Sequence, residues 1–151
     1  MPKIKVYLDN CAYNRPFDDQ CQIRIFLETQ AKLHIQRLIT GNKIELACSY
    51  MSLYENADNP HEERKLSIAD FLNHTSLFVN YDQAEKIEIK AAELMKFQIK
   101  NKDAIHIACA IEAGCDYFIT TDDGLGKKYT NNEIIICNPV DFIKVLEAQN
   151  E

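Results

Sequence analysis

KNKDAIHIACAIEAGCDYFITTDDG, residues 100–124, joins a helix pattern to a strand pattern, with acids at both ends. Asp103 stands in the first turn of an apolar, alanine-rich run, where the partial positive end of a helix favours an anion, and Gly114 supplies the stop. DYFIT then reads as a strand, closed by a carboxylate cluster at Asp122 and Asp123 before Gly124. Helix, turn and strand in this order form one unit of an alternating α/β chain.

The same alternation runs outward. IKVYL (4–8) is an apolar strand ending at Asp9 and Asn10, which favour a turn, with the polar loop NRPFDD beyond it. Ile23, Phe26, Leu27, Ala31, Ile35 and Leu38 recur at helical spacing over about 22–39, and Gly41 with Asn42 stops that helix. KIELAC (43–48) is a second strand, and Ser49 is placed to cap a helix carrying Tyr50, Leu53, Tyr54 and Glu55, which Asn59 and Pro60 close. A helix over about 61–73, a short strand SLFVN (76–80) and a helix over about 83–98 follow. Past the acids, EIIIC (133–137) is a last strand, and Pro139 suits the first position of a terminal helix.

Strands that are apolar throughout, rather than alternating, need cover on both faces. The prediction is a single α/β domain over 1–151, a three-layer α/β/α sandwich with a central, mainly parallel sheet. A chain of 151 residues can close a core without disulfides or structural metal. No internal repeat or long linker divides it.

Composition narrows the function. With 46% hydrophobic and 26% charged residues the chain is near the globular average, and no apolar run is long enough to cross a bilayer, so no membrane association is expected. The opening MPKIKVYLDN has charges inside its short apolar run and lacks the core of a secretory signal, which predicts a cytoplasmic protein. No two of the six cysteines are separated by only two residues, and the four histidines show no paired ligand spacing, which argues against a redox pair and a zinc site. A net charge of −6 argues against avid nonspecific binding of nucleic acid through a basic face. That charge is uneven: residues 1–43 carry 7 basic and 4 acidic side chains, the remainder 10 and 19. Part of the excess can be a metal site, whose charge the ion reverses locally.

In a parallel sheet the carboxyl ends of all strands share one edge, and ligands bind there, where strand order reverses. Asp9 ends the first strand and Asp122 ends YFIT, so both emerge on that edge. Glu55 lies within two turns of the start of the helix leaving the second strand, and Asp103 begins a helix, so four carboxylates from four segments can converge. Such a set repels itself unless protons or cations neutralise it, and oxygen donors without His or Cys suit Mg²⁺ or Mn²⁺. One ion, or two about 4 Å apart, activates water and stabilises phosphoryl charge, which fits a phosphodiester substrate. Each acid also has a plainer reading: Asp9 and Asp122-Asp123-Gly124 as turns, Glu55 as a solvated helix residue, Asp103 as a favourable helix start.

KIKVYLDNCAYN (3–14), SYMSLYEN (49–56) and KDAIHIACAIEAGCDYFITTDDGL (102–125), in that order, resemble a PIN domain, a metal-dependent ribonuclease fold. The resemblance covers nearly the whole chain. It is strongest in the last segment, where the family places an acid before an apolar-alanine helix and then a strand ending in Thr-x-Asp, here Thr120-Thr121-Asp122. It implies a PIN-like sandwich and an endoribonuclease in which Asp9, Glu55, Asp103 and Asp122 are catalytic ligands of Mg²⁺ or Mn²⁺. Asp123 falls one position past the motif, placed for a second ion or a role through water. Asn10 stands where the family commonly has Ser or Thr, offering an amide but no hydroxyl. Thr120 is placed to orient the neighbouring carboxylate. Stand-alone PIN domains of this size resemble toxin nucleases held inactive by an antitoxin. RNA as substrate, an antitoxin protein and a second copy of the chain are therefore the partners to look for.

Arg15, Lys100 and Lys102 are candidate phosphate contacts, although most Lys and Arg are simply solvated. His106, one turn beyond Asp103, reads as a general acid or base or, more plainly, as packing. Tyr13 and Tyr54 read as platforms for unpaired bases or as packing at the sheet edge. Two other functions compete. A haloacid-dehalogenase-type phosphatase needs a second acid two residues after its nucleophile, where this chain has Cys11. A non-catalytic module would dock a basic protein on the acidic edge without metal.

Overall fold

Strands and helices alternate along the computed structural model, which describes residues 3–149; the first and last two residues of the 1–151 span lie outside the described residues. The strands are β1 (Lys5–Leu8), β2 (Glu45–Ser49), β3 (Leu77–Val79), β4 (Tyr117–Ile119) and β5 (Ile135–Cys137). The helices are α1 (Asn10–Asn14), α2 (Ile23–Thr40), α3 (Tyr50–Ala57), α4 (Glu62–Leu72), α5 (Ala84–Met95), α6 (Asn101–Glu112), α7 (Asp123–Lys128) and α8 (Pro139–Gln149). The sheet order is β3-β2-β1-β4-β5, and every pair is parallel. The chain lays β2 and β3 on one side of β1, then crosses to lay β4 and β5 on the other, so strand order reverses beside β1.

The sheet has helices on both faces, which is why its central strands are apolar at successive positions. Val6 and Leu8 pack with Ile35 and Ile39 of α2, Ile68 and Phe71 of α4 and Phe142 of α8. Tyr7, Ala47 and Phe118 point to the other core, with Ile87 and Leu94 of α5 and Ile107 of α6. Tyr7 stacks on Phe118 across the β1–β4 pair, their ring centroids 5.5 Å apart. Each fully buried Leu or Ile contributes about 1.5–3 kcal/mol of transfer free energy. The result is a three-layer α/β/α sandwich around a wholly parallel sheet of described strands. No described helix is long and apolar enough to cross a membrane.

Local signals act as their chemistry dictates. Ser49 caps α3, its hydroxyl accepting from the Met51 N–H at 3.2 Å while Ser52 reaches back to the Ser49 N–H. Gly114 ends α6 with φ +76°, and the N–H groups of Gly114 and Cys115 donate to the carbonyls of Ile111 and Ala110. That is a Schellman closure, in which a side chain at Gly114 would be strained. Pro139 opens α8.

Two features differ from expectation. The segments read as turns after Asp9 and Asp122 are the short helices α1 and α7. In α2, Ala31 and Ile35 are buried, but Ile23, Phe26 and Leu27 are 77%, 46% and 50% exposed, while Glu28, Thr29 and Lys32 are buried. The buried Glu28 accepts from Arg15 (2.7 Å), Arg24 (3.3 Å) and the Asn138 amide, so α2 turns a paired acid inward instead of its apolar N-terminal residues.

Candidate active site

β1 and β4 end side by side at the point of strand-order reversal, and their first residues beyond the sheet are tied together. The Asp9 N–H donates to the Ile119 carbonyl at 2.9 Å, extending the β1–β4 pairing by one step. Asp9 then caps α1: its Oδ1 accepts the Asn10 N–H at 2.8 Å. Its Oδ2 accepts the buried Thr120 hydroxyl at 2.8 Å, and that hydroxyl accepts the Asp122 N–H at 3.1 Å. One hydroxyl thus fixes two carboxylate-bearing strand ends relative to each other. The Cys11 thiol also donates to Asp9 Oδ2, at 3.4 Å; burial and then the Asp9 charge push its pKa up to about 11, so it stays protonated.

Asp122 caps α7 through Oδ1, which accepts the Gly124 N–H at 3.0 Å. Asp103 lies in the first turn of α6, and its side chain makes no hydrogen bond among the described residues. Its pKa is raised by burial first, then by the charges of Asp9 and Asp122, with Glu55 adding a smaller increment and His106 opposing them. Burial is thus the main reason the Asp103 carboxyl holds its proton more tightly, and the charges of Asp9, Asp122 and Glu55 add to it.

Glu55 is held by a buried chain that begins in the sheet. The Tyr7 hydroxyl lies 2.7 Å from Ser49 Oγ, 3.0 Å from Ser52 Oγ and 2.6 Å from His106 Nδ1, and His106 Nε2 lies 2.8 Å from Glu55 Oε1. Burial raises the Tyr7 pKa well above its ordinary value, so the hydroxyl keeps its proton among Ser49, Ser52 and His106. A carboxylate at Glu55 takes its hydrogen from Nε2, whichever state Nδ1 is in. The serines that cap α3 therefore also anchor the tyrosine that sets the histidine.

The remaining expected residues divide. Asp123 is ion-paired to Arg24 at 2.8 Å. Arg15, expected as a phosphate contact, is occupied by Glu28 at 2.7 Å and Asp18 at 3.3 Å. Lys100 and Lys102 are exposed at the start of α6, and Lys102 shares a cleft wall with Asn10 and Glu55. Tyr13 is buried against Phe71, which is packing, whereas Tyr54 is 61% exposed on the same cleft. His106 is buried, as its packing reading expects, and is also bonded at both ring nitrogens, while Tyr7 and Glu28 were not among the expected residues. The available signal for Tyr7 was a hydroxyl inside an apolar strand covered on both faces, which must find a partner.

Among the described residues no three His, Cys, Asp or Glu side chains stand ready in metal-holding geometry; Asp9, Glu55 and Asp122 are each engaged by a donor of their own. The donor set nevertheless fits a hard divalent cation. It is all carboxylate oxygen, the Asp103 side chain has no donor among the described residues, and its pKa is raised by burial first and then by the charges of Asp9 and Asp122, both of which a bound cation would offset.

No family model and no curated protein sequence matches the chain. Among solved structures, it is similar to a chain in the crystal structure of VapBC2 from Rickettsia felis bound to a DNA fragment from their promoter. The TM-score is 0.56 at 16% identity, over 89% of this chain and 98% of that one. At that identity the likeness is one of fold.

Proposed function

We propose that the chain is a metal-dependent nuclease, an endoribonuclease hydrolysing RNA phosphodiesters, with Asp9, Glu55, Asp103 and Asp122 as ligands of Mg²⁺ or Mn²⁺. What supports this reading is that the ends of β1 and β4 lie side by side at the reversal of strand order, where α/β sheets bind ligands, with Asp9 and Asp122 both tied to the Thr120 hydroxyl and carboxylate charge acting on Asp103. A divalent ion bound there supplies a water of lowered pKa and stabilises charge on the phosphoryl oxygens.

The chain's own residues supply position. Thr120 fixes Asp9 against the end of β4, His106 fixes Glu55, and Asp103 is left without a donor of its own. Lys102, exposed beside Glu55, is the cation best placed for a neighbouring phosphate, while Asp123 and Arg15 hold the surrounding loops through Arg24 and Glu28. The PIN resemblance, together with the likeness to a chain of VapBC2, supports a toxin–antitoxin setting in the cytoplasm, with a protein partner that restrains the nuclease.

Cleavage of a mixed RNA pool in Mn²⁺ or Mg²⁺ tests the reading. Wild type is expected to cut and Asp9→Asn and Asp103→Asn to lose about a hundredfold or more, the scale on which metal-site catalysis depends on its ligands and their supports. Equal activity in all three proteins rejects the site.

A further inference from the structure

The turn that carries Asp122 is gripped from α2 by one guanidinium. Arg24, in the first turn of α2, donates from Nη2 to the Thr121 carbonyl at 3.1 Å, and the same nitrogen lies 2.8 Å from Asp123 Oδ2. It therefore holds the residues on both sides of Asp122. Its Nε donates to Glu28 Oε2 at 3.3 Å, one turn along the helix. Glu28 is 2% exposed and is fixed in turn by Arg15 at 2.7 Å and by the Asn138 amide. Arg15 follows β1 and α1, and Asn138 follows β5, so the buried acid gathers the segments leaving those two strands. Arg24 extends that anchor to the segment leaving β4.

Arg24 and Asp123 are 55% and 54% exposed, and an isolated pair so exposed contributes about 0–1 kcal/mol. Arg24 is not isolated. Its fork meets three acceptors on two segments, and its Nε is held by a buried carboxylate, which fixes the direction of the remaining N–H groups. The N–H side of the turn is set elsewhere: the Thr121 N–H faces Cys11 Sγ at 3.4 Å, and the Asp122 N–H donates to the Thr120 hydroxyl at 3.1 Å. Asp122 Oδ1 accepts the Gly124 N–H, while its Oδ2 has no hydrogen bond among the described residues. Where that free oxygen stands depends on the course of the backbone from Thr121 to Asp123, whose carbonyl side Arg24 holds.

We infer that Arg24 is a positioning residue for Asp122. By holding the Thr121 carbonyl and the Asp123 carboxylate it sets the turn from which Asp122 presents its free oxygen, and it keeps Asp123 as its own counterion, outside the ligands of the ion. This rests on the metal-dependent reading and divides two adjacent acids that the sequence leaves alike.

Calorimetric titration of the RNA-free protein with Mn²⁺ tests it. Removing Arg24 alone also deletes a positive charge that opposes a cation, so the deciding variant is the charge-balanced pair Arg24→Gln/Asp123→Asn. Asp123→Asn alone leaves Arg24 on Thr121 and should keep the Mn²⁺ affinity within about fivefold, the effect of one exposed charge. The pair should weaken it about 10–100-fold, the range for groups that orient metal ligands. Arg24→Lys, which keeps the charge and loses the fork, should fall between wild type and the pair. A pair that binds Mn²⁺ as Asp123→Asn does, even at a lowered melting temperature, would overturn the proposal and leave Arg24 a surface contact. A loss of about tenfold or more in Asp123→Asn alone would overturn it too, by making Asp123 a ligand. Wild type that binds no Mn²⁺ would reject the metal site and this role with it, whereas the other outcomes keep the site and decide only Arg24.

Discussion

His106 Nε2 stands 2.8 Å from Glu55 Oε1 while Nδ1 stands 2.6 Å from the Tyr7 hydroxyl, so a sheet residue and a carboxylate of the candidate site are joined through one buried ring. The ring is 1% exposed, too deep to meet a substrate, and its role is to position Glu55. Glutamine keeps a nitrogen near Nε2, asparagine keeps one near Nδ1, and leucine keeps neither. His106→Gln should therefore retain Mn²⁺ affinity within a few fold, whereas His106→Asn and His106→Leu should lose about 10–100-fold, the range typical of groups that orient metal ligands. Calorimetric titration of Mn²⁺ reads this directly. If the three variants differ in melting temperature but bind Mn²⁺ alike, the histidine is only packing.

Thr120 links two strand ends with one hydroxyl, donating to Asp9 at 2.8 Å and accepting from the Asp122 N–H at 3.1 Å. Thr120→Val keeps the shape and removes both bonds at a position 2% exposed. Leaving buried polar groups unpaired costs about 1–3 kcal/mol, and Thr120→Ser should recover most of it. Denaturant unfolding measures the difference; a valine variant with the wild-type midpoint would show that the bridge adds nothing.

The sheet and its acidic edge were legible because apolar strands end in carboxylates, a signal carried within a few residues. The helices α1 and α7 were not. Each is five or six residues long, too short for periodicity, and an aspartate accepting a nearby backbone N–H serves a turn and a helix cap alike. The buried face of α2 was hidden for a different reason. Glu28 is buried because Arg15 and Asn138 reach it, 13 and 110 residues away in sequence, and spacing within the helix says nothing of them. His106 was similarly masked by its apolar neighbours, since only the fold brings Tyr7 and Glu55 to its two nitrogens.

Asp103 has a folded-state pKa raised above the ordinary 3.8 by burial and by the charges of Asp9 and Asp122. The folded state then holds the proton longer than the unfolded chain, so stability falls as pH rises from about 3.8 through the folded pKa, and stays lower at neutral pH. In EDTA at pH 7, Asp103→Asn should melt above wild type, because it removes the carboxylate charge that burial and its neighbours disfavour. The advantage should shrink as pH drops to about 3.5, where the wild-type carboxyl is protonated. Added Mn²⁺ should raise the wild-type melting temperature more than the variant's. A variant less stable than wild type in EDTA at pH 7 would show that Asp103 is not under repulsion.

Lys32 is the opposite case, a buried cation without a carboxylate partner among the described residues. It is 5% exposed, donates to Gln36 Oε1 at 2.8 Å, and lies 5.7 and 5.3 Å from the ring centroids of Tyr13 and Phe71. Burial lowers its pKa to about 8 from the ordinary 10.5. Below about 8 the lysine is charged in both states and the burial cost is carried in full; between about 8 and 10.5 the folded state sheds the proton first. The unfolded chain then binds more protons, so this group's contribution to stability rises with pH across that window. Lys32→Met keeps the length and removes the charge. The variant should melt above wild type at pH 7, by about 2–4 °C for each kcal/mol of desolvation relieved, and the gap should narrow by pH 10. Buried tyrosines and cysteines with raised pKa values bend both curves at alkaline pH, so only the difference between the two proteins isolates Lys32. Melting curves that stay parallel from pH 7 to 10 would mean that the ring faces and Gln36 stabilise the ammonium as well as water does.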